Sequence, residues 1–211
     1  MALSDTVDDI QAAKAALRPK LRQRRQEAAK ANGAAIAGVA AERFIAGIPL
    51  TQGIAVAGYW PLPSEIDPRP LLARLRAEFA ARILLPAVHA DSLGLTFRPW
   101  NGDDAILEPG RYGIPAPPEA AGAARPDLVI VPLLGFDRQG RRLGLGAGYY
   151  DATLSALRRD AANRPLCVGY AFAVQQVPEV PCWAQDERLD WVVTERGAIR
   201  CEDQVEEREG R

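Results

Sequence analysis

The sequence of 211 residues has few of the side chains that most often act as nucleophiles or bind metals, since it contains one histidine and three cysteines. With a single histidine, His89, a zinc site that needs two histidines is excluded, and a serine triad has only one candidate base. His89 follows the apolar run 83–88, so we interpret it as a structural residue at the end of a strand. The chemistry must therefore depend on carboxylates, cationic side chains, backbone amides or a bound metal.

Other absences bear on compartment and partners. The cysteines, Cys167, Cys182 and Cys201, are odd in number and form no Cys-x-x-Cys pair, which is typical of reduced thiols. No apolar run reaches the length of a membrane span, and the N-terminus lacks the basic and then apolar layout of a signal peptide. The net charge of −1 gives no bias toward nucleic acid or membranes. We expect a cytoplasmic protein with small-molecule partners, and a monomer.

Alternating strand and helix patterns predict an α/β fold, with one domain at 1–200, an open, mostly parallel sheet and helices on both faces. Helical spacing predicts helices at 10–29, 34–46 and 68–80 and a further helix near Tyr150. Apolar runs predict strands at 53–59, 82–88, 93–100, 127–134, 165–172 and 189–195. Pro19 interrupts the first helix, so we expect a kink there or two helices that meet there. The polar tail, 201–211, is expected to fray.

The segment 141–151 reads Arg-Arg-Leu-Gly-Leu-Gly-Ala-Gly-Tyr-Tyr-Asp and runs from a buried strand and turn into a predicted helix. Glycines on alternate positions allow backbone conformations closed to other residues and let a ligand approach the N–H groups. Amides gathered ahead of a helix form an anion site, to which Arg141 and Arg142 add charged donors. Asp151 would repel phosphate unless a hard cation such as Mg²⁺ lies between them. The segment therefore indicates a nucleotide-phosphate site.

Glycine spacing alone leaves alternatives open. The segment is not a Walker A loop, and it is not a dinucleotide fingerprint, because its glycines are differently spaced and no acidic residue stands at the ribose-binding offset. A connection that only lets strand and helix pack closely would also need glycines.

Two other pairs of side chains are candidate ligands. Lys14 and Arg18 are four residues apart and project from one face of the first helix, which by itself is typical of a solvated basic face. Trp60 and Glu65 follow a strand in a proline-rich loop, at the sheet edge where α/β proteins bind ligands. An aromatic ring and a carboxylate suit a flat heterocycle with N–H donors, but a rigid loop with a solvated Glu65 would have the same sequence.

Taken whole, the segment 132–151 resembles the signature of the 5-formyltetrahydrofolate cyclo-ligase family, also called methenyltetrahydrofolate synthetase. In that family a strand ending in Pro leads to Phe-Asp-x-x-Gly-x-Arg-Leu-Gly-x-Gly-x-Gly-Tyr-Tyr-Asp. The positions that fit are Pro132, Phe136, Asp137, Gly140, Arg142, Leu143, Gly144, Gly146, Gly148, Tyr149, Tyr150 and Asp151. The resemblance extends from Lys14 to Glu195, so it covers nearly the whole chain.

The resemblance implies an enzyme that uses ATP and Mg²⁺ to cyclise 5-formyltetrahydrofolate to 5,10-methenyltetrahydrofolate through a phosphorylated formyl group. It implies that ATP is bound by Lys14, Arg18, Arg142, Leu143, Gly144, Leu145, Gly146, Ala147, Gly148, Tyr149 and Tyr150. It implies that folate is bound by Trp60, Glu65, Gly146, Gly148 and Tyr149. The residues expected at the reacting groups are Arg142, Tyr149 and Tyr150. The expected metal ligands are Asp151 and Asp186, although local sequence alone would make Asp186 a loop residue or a helix cap.

Some positions depart from the family pattern. Ala116 stands where the family has a glutamate, and Gln185 stands where it has a histidine. Leu145 and Ala147 occupy variable positions at which some relatives carry lysine or arginine. Two alternatives therefore stay open: a protein that binds nucleotide or folate without turnover, and a sugar-phosphate-binding α/β module.

Overall fold

The structure is a computed structural model that describes residues 6–89 and 92–201. Its α-helices are α1 (Val7–Gly47), α2 (Arg69–Phe79) and α3 (Tyr149–Arg158). Its strands are β1 (Ala55–Ala57), β2 (Arg82–Val88), β3 (Leu95–Pro99), β4 (Glu108–Pro109), β5 (Pro115–Ala116), β6 (Leu128–Val131), β7 (Gly135–Phe136), β8 (Arg142–Leu143), β9 (Leu166–Tyr170), β10 (Trp191–Thr194) and β11 (Gly197–Arg200). No helix within these residues combines the length and apolarity needed to cross a bilayer. The tail that we expected to fray lies, beyond Cys201, outside the described residues.

The main sheet has the strand order β11-β10-β9-β6-β1-β2-β3. Its inner strands are parallel to one another, and the edge strands β3 and β11 are antiparallel to their neighbours. From β1 the chain adds β2 and β3 on one side and then β6 and later strands on the other. The order therefore reverses between β1 and β6, and the carboxyl ends of the strands at such a point leave a crevice in which ligands bind.

Helices cover both faces of this sheet, as the sequence predicted. Successive strand residues point to opposite faces, so Val56 belongs to one apolar cluster and Ala57 to the other. Phe44 of α1 and Leu72 of α2 pack in the cluster with Val56. Leu154 of α3 packs in the cluster with Ala57. The prediction of an open, mostly parallel α/β sheet is therefore confirmed.

α1 continues through Pro19, so the expectation that two helices meet there is wrong, and the break in this helix lies at Asn32. α1 spans both helices predicted at 10–29 and 34–46, and Asn32 has non-helical angles (φ −166°, ψ 43°). Proline fixes φ at a value that a helix can use and removes only one N–H donor. Asn32 and Gly33, by contrast, both have low helix propensity.

The strand β11 was not predicted. It forms a hairpin with β10, with Thr194 opposite Gly197, and its four residues are partly exposed at the edge of the sheet. A short edge strand of Gly-Ala-Ile-Arg lacks the apolar run that marked the buried strands, so the sequence carried little signal for it.

Candidate active site

A cavity of about 500 Å³ opens at the carboxyl ends of β1, β2 and β6, where the strand order reverses. The N-terminal half of α1, the loop after β1 and the segment that leads into α3 form its walls. The residues that the family resemblance assigned to ATP, folate or metal all line this one cavity: Lys14, Arg18, Trp60, Glu65, Arg142, Leu143, Gly144, Leu145, Gly146, Ala147, Gly148, Tyr149, Tyr150, Asp151 and Asp186. The fold therefore brings together segments that are far apart in the sequence.

A buried carboxylate organises the turn that delivers the glycine-rich segment to the cavity. Asp137 is fully buried between β7 and β8, and its oxygens accept N–H bonds from Gln139, Arg141 and Val180 at 2.9–3.1 Å. Gly140 has φ +76°, and a Cβ there would lie 2.3 Å from a carbonyl oxygen. The Phe-Asp-x-x-Gly part of the motif is thus explained by the turn it folds into.

The glycine arc, defined as residues 144–148, is exposed and not filled by its own side chains. Gly146 (φ +108°) and Gly148 (φ +77°) have left-handed backbone that favours glycine. Gly148 is the N-cap of α3 and offers no side chain to cap its first N–H groups. The carbonyl of Gly144 accepts a hydrogen bond from Arg18 Nε at 3.1 Å, which joins the arc to α1. Uncapped amides at a helix start carry partial positive charge, so the arc can receive an anion.

The cations and acids beside the arc are paired with one another. The Nζ of Lys14 lies 2.5 Å from a carboxylate oxygen of Asp186. Arg142, whose side chain is 5% exposed, donates to Asp151 at 2.7 Å and also to the carbonyl of Glu187. The described residues contain no group of three or more His, Cys, Asp or Glu side chains that could hold a metal. A divalent ion at Asp151 and Asp186 would therefore need further oxygens from a ligand or water.

Arg141 does not share the role we expected for it. Its guanidinium pairs with Glu179 at 2.6 Å and lies 3.8 Å from Asp137, and Arg141 does not line the cavity. Adjacent residues of the β8 segment point to opposite sides, so only Arg142 of the two reaches the cavity.

The other end of the cavity is built around a buried acid. Glu65, with a side chain 7% exposed, accepts hydrogen bonds from the Leu62 N–H at 2.9 Å and from Arg25 at 3.2 Å. Burial raises the pKa of Glu65, and the Leu62 N–H and the charge of Arg25 oppose this shift. Trp60 packs edge-on against Trp100 with ring centroids 6.3 Å apart, and the guanidinium of Arg69 lies over Trp60. This end therefore offers a ring face and an oxygen acceptor.

Two adjacent tyrosines, Tyr149 and Tyr150, also line the cavity. The hydroxyl of Tyr149 lies 3.1 Å from that of Tyr112, and this hydrogen bond is the main cause of a raised pKa of Tyr149. Burial raises the pKa of Tyr150 far above its ordinary value, so its phenol stays neutral. Both side chains can donate a hydrogen bond at neutral pH, but neither is a base.

Sequence reasoning missed Arg25 and Tyr112, which also line the cavity. Arg25 is seven residues after Arg18, so helical periodicity on α1 was the available signal. Tyr112 belongs to a loop with no periodic pattern, and its left-handed backbone (φ +60°) has no signature in the sequence.

The two positions that depart from the family pattern lie beside the cavity rather than in its wall. Ala116 is buried in β5, and Gln185 is exposed next to Asp186. Neither residue lines the cavity, whereas Ile114, two residues before Ala116, does.

Fold and cavity together define an α/β protein whose candidate site joins an exposed glycine-rich arc beside cationic side chains to a pocket with an aromatic ring and a buried carboxylate. The model of the 5-formyltetrahydrofolate cyclo-ligase family matches residues 10–195. The chain belongs to this family, which confirms the resemblance seen in the sequence and the expectation of an enzyme of cyclo-ligase type.

Relatives of the chain are similar over most of its length. The 5-formyltetrahydrofolate cyclo-ligase of Escherichia coli (strain K12) is 32% identical over 180 residues, which are 82% of this chain and 96% of that protein. The enzyme of the same name from Mycolicibacterium smegmatis is 31% identical over 166 residues, 74% of this chain and 80% of that protein. The structure of Aquifex aeolicus 5,10-methenyltetrahydrofolate synthetase is 26% identical, with a TM-score of 0.70, and the match covers 90% of this chain and 93% of that one.

Proposed function

We propose that this chain uses ATP to close 5-formyltetrahydrofolate to 5,10-methenyltetrahydrofolate in this cavity. One observation carries the proposal: a single cavity holds both the glycine arc with its cations and the Trp60–Glu65 loop. A phosphate donor and a polar heterocycle can therefore bind next to each other. Family membership and the names of the relatives support the same reaction.

The reaction needs activation because a formyl oxygen is a poor leaving group. Transfer of the γ-phosphoryl group of ATP to this oxygen releases ADP and leaves an iminium phosphate. The N10 nitrogen of the same folate then attacks the formyl carbon, N10 loses its proton, and the C–O bond breaks to release phosphate. Such chemistry depends on positioning and charge stabilisation rather than on an enzyme nucleophile. A chain with one histidine is suited to it.

The phosphate end would be formed by the arc and three cations. Lys14, Arg18 and Arg142 neutralise phosphate charge, and the arc amides donate hydrogen bonds to phosphate oxygens. The ion pairs of Lys14 with Asp186 and of Arg142 with Asp151 support this assignment, because they show cations and acids close enough to exchange partners when a polyanion arrives.

Asp151 and Asp186 would hold Mg²⁺ directly or through water. Mg²⁺ bound with nucleotides usually takes one or two carboxylates together with phosphate oxygens and waters, so two acids without a third protein ligand fit this ion. Their side chains are 40% and 25% exposed and both residues line the cavity, so water or a ligand can reach them. When bound, the ion would screen phosphate charge from these acids.

At the other end, Trp60 and Glu65 would hold the pterin ring of the folate. The carboxylate of Glu65 accepts from ring N–H groups, and the Trp60 ring provides an apolar contact. Tyr149 and Tyr150 then border the place where the formyl oxygen meets the γ-phosphoryl group.

The test is to add 5-formyltetrahydrofolate with MgATP and to follow the absorbance of the methenyl product. We expect product from the wild-type protein and a loss of about a hundredfold in rate for Asp151→Ala. Asp160→Ala is the matched control, because Asp160 lies beyond the end of α3 and does not line the cavity. Folded wild-type protein that forms no product, and behaves like Asp151→Ala, would remove the assignment.

Calorimetric titration with ATP, folate and a sugar phosphate in turn distinguishes the alternatives. Binding of ATP and folate without product would favour a binding protein without turnover. Binding of the sugar phosphate alone would favour a sugar-phosphate module.

A further inference from the structure

The end of the cavity that contains Trp60 and Glu65 is called the ring end. There, a buried arginine connects three segments of the chain. Arg25 of α1 is 3% exposed and lines the cavity. Its Nε donates to Ser64 Oγ at 3.1 Å, and its Nη1 donates to Glu65 at 3.2 Å and to the carbonyl of Leu133 at 3.4 Å. Burying a guanidinium is costly unless its N–H groups are satisfied, so these contacts fix its place.

The partner of Arg25 is held from both sides. One carboxylate oxygen of Glu65 accepts from Arg25, and the other accepts from the N–H of Leu62. Each ionised oxygen has more than one acceptor position, so both can still accept a hydrogen bond from a ligand. Two parallel acceptors suit a ring edge that presents an N–H beside an amino group.

We propose that Arg25 is a positioning residue that keeps the Glu65 carboxylate ionised and in one orientation, so that the cavity selects fused heterocycles with two adjacent N–H donors. This inference rests on the proposed function, which places the folate ring at Glu65. It adds the residue that makes Glu65 a fixed double acceptor.

The charged and titratable groups around Glu65 determine how loss of Arg25 would change the pKa of Glu65. The titratable groups that face it are Arg25 from α1, Tyr59 after β1 and Tyr150 from α3. Both phenols are buried with a raised pKa and remain neutral, so they do not supply positive charge. Burial raises the pKa of Glu65 and Arg25 opposes it. Removal of Arg25 would therefore raise the pKa further and populate the protonated acid, which donates where an acceptor is needed.

The experiment compares Arg25→Met, Arg25→Lys, Glu65→Gln and the exposed control Arg24→Met by calorimetric titration with 5-formyltetrahydrofolate from about pH 5.5 to 8.5. We expect Arg25→Met to weaken folate binding about tenfold to a hundredfold at neutral pH, with partial recovery as the pH rises. Arg25→Lys keeps the charge and should fall in between. Glu65→Gln should bind weakly at every pH, and Arg24→Met should match the wild type.

Two further measurements separate this inference from a purely structural role and from the proposed function. ATP binding should be unchanged in Arg25→Met, because Arg25 lies at the ring end. The carboxyl ¹³C resonance of Glu65 in ligand-free protein should titrate at higher pH in Arg25→Met than in the wild type. An unchanged titration, or a loss of folate affinity equal at all pH values, would overturn the inference. A wild-type protein that binds no folate would instead overturn the proposed function, and the ¹³C titration would still decide the role of Arg25.

Discussion

The two ends of the cavity are built in different ways. At the phosphate end the backbone of 144–148 is exposed, and the cations Lys14 and Arg142 are paired with acids that line the same cavity. At the ring end the pair of Arg25 and Glu65 is buried on both sides, since the Glu65 side chain is 7% exposed, whereas the acids of the phosphate end, Asp186 and Asp151, are 25% and 40% exposed. In the proposed reaction ATP binds together with Mg²⁺ and leaves as ADP and phosphate. The side chains that bind it must therefore be able to exchange one ionic partner for another. A ring that must be held still while its substituent reacts needs fixed partners.

Loss of Arg142 should have the largest effect, because it removes a buried charge at the phosphate end. We expect Arg142→Ala to lower kcat/KM about a thousandfold, in the range seen when an arginine that stabilises a transferring phosphoryl group is removed. Steady-state kinetics of methenyl formation measures this. The adjacent Arg141→Ala is the control, since Arg141 pairs with Glu179 outside the cavity. If both variants lost activity equally, Arg142 would not have the proposed role.

The exposed arc predicts a second effect, on ATP binding. Gly148 and Gly53 have a similar positive φ (+77° and +75°), and both have open space where a Cβ would stand. Alanine at either position should cost about 1 kcal/mol of stability, measured by denaturant unfolding. Only Gly148→Ala should also weaken ATP binding, by about tenfold, because only Gly148 lines the cavity. Equal ATP affinity in the two variants would show that the arc does not bind phosphate.

The same difference between the two ends explains how much of the site could be predicted from sequence. The phosphate end is mostly one continuous segment, 142–151, so its spacing and glycines were visible in the chain. The ring end depends on α1 crossing the loop after β1, and Arg25 contacts Glu65 across 40 residues of sequence. Helical periodicity marks only the face of α1 on which Arg25 lies, and the partner of Arg25 is set by tertiary packing that no local pattern encodes.

In the fold, too, the elements with a strong local pattern were predicted and those without one were missed. Strands such as β6, buried on both faces, are continuous apolar runs and were predicted. The edge strand β11 and the break at Asn32 depend on a turn and on weak propensities, so the pattern did not mark them.

A smaller effect should follow from opening one ion pair at the phosphate end. Asp186→Asn removes the partner of Lys14, so without Mg²⁺ the affinity for ATP should rise about fivefold, because a negative charge near the phosphates is lost. With Mg²⁺ the affinity should fall, because a proposed ligand of the ion is lost. Titration calorimetry with and without Mg²⁺ measures both. A change of the same sign under both conditions would mean that Asp186 only orients Lys14.

The smallest effect concerns the ring end and the pH dependence of stability. Burial raises the pKa of Glu65 above its ordinary value of 4.5, so the folded protein holds this proton more tightly than the unfolded chain. The stability contributed by the group is therefore fully present below the ordinary pKa and is lost as the pH rises through the folded pKa. Relative to Glu65→Gln, the free energy of unfolding of the wild type should fall by about 1 kcal/mol between about pH 4 and pH 7.

Denaturant unfolding at a series of pH values measures this slope, and Glu119→Gln, in an exposed turn, is the control that should follow the wild type. The slope is more informative than the absolute stability, because Glu65→Gln also leaves Arg25 without its charged partner at every pH. A slope of the opposite sign would mean that the pair with Arg25 outweighs burial. The ring end would then be held mainly by charge, as the phosphate end is, and the two ends would differ only in how far water reaches them.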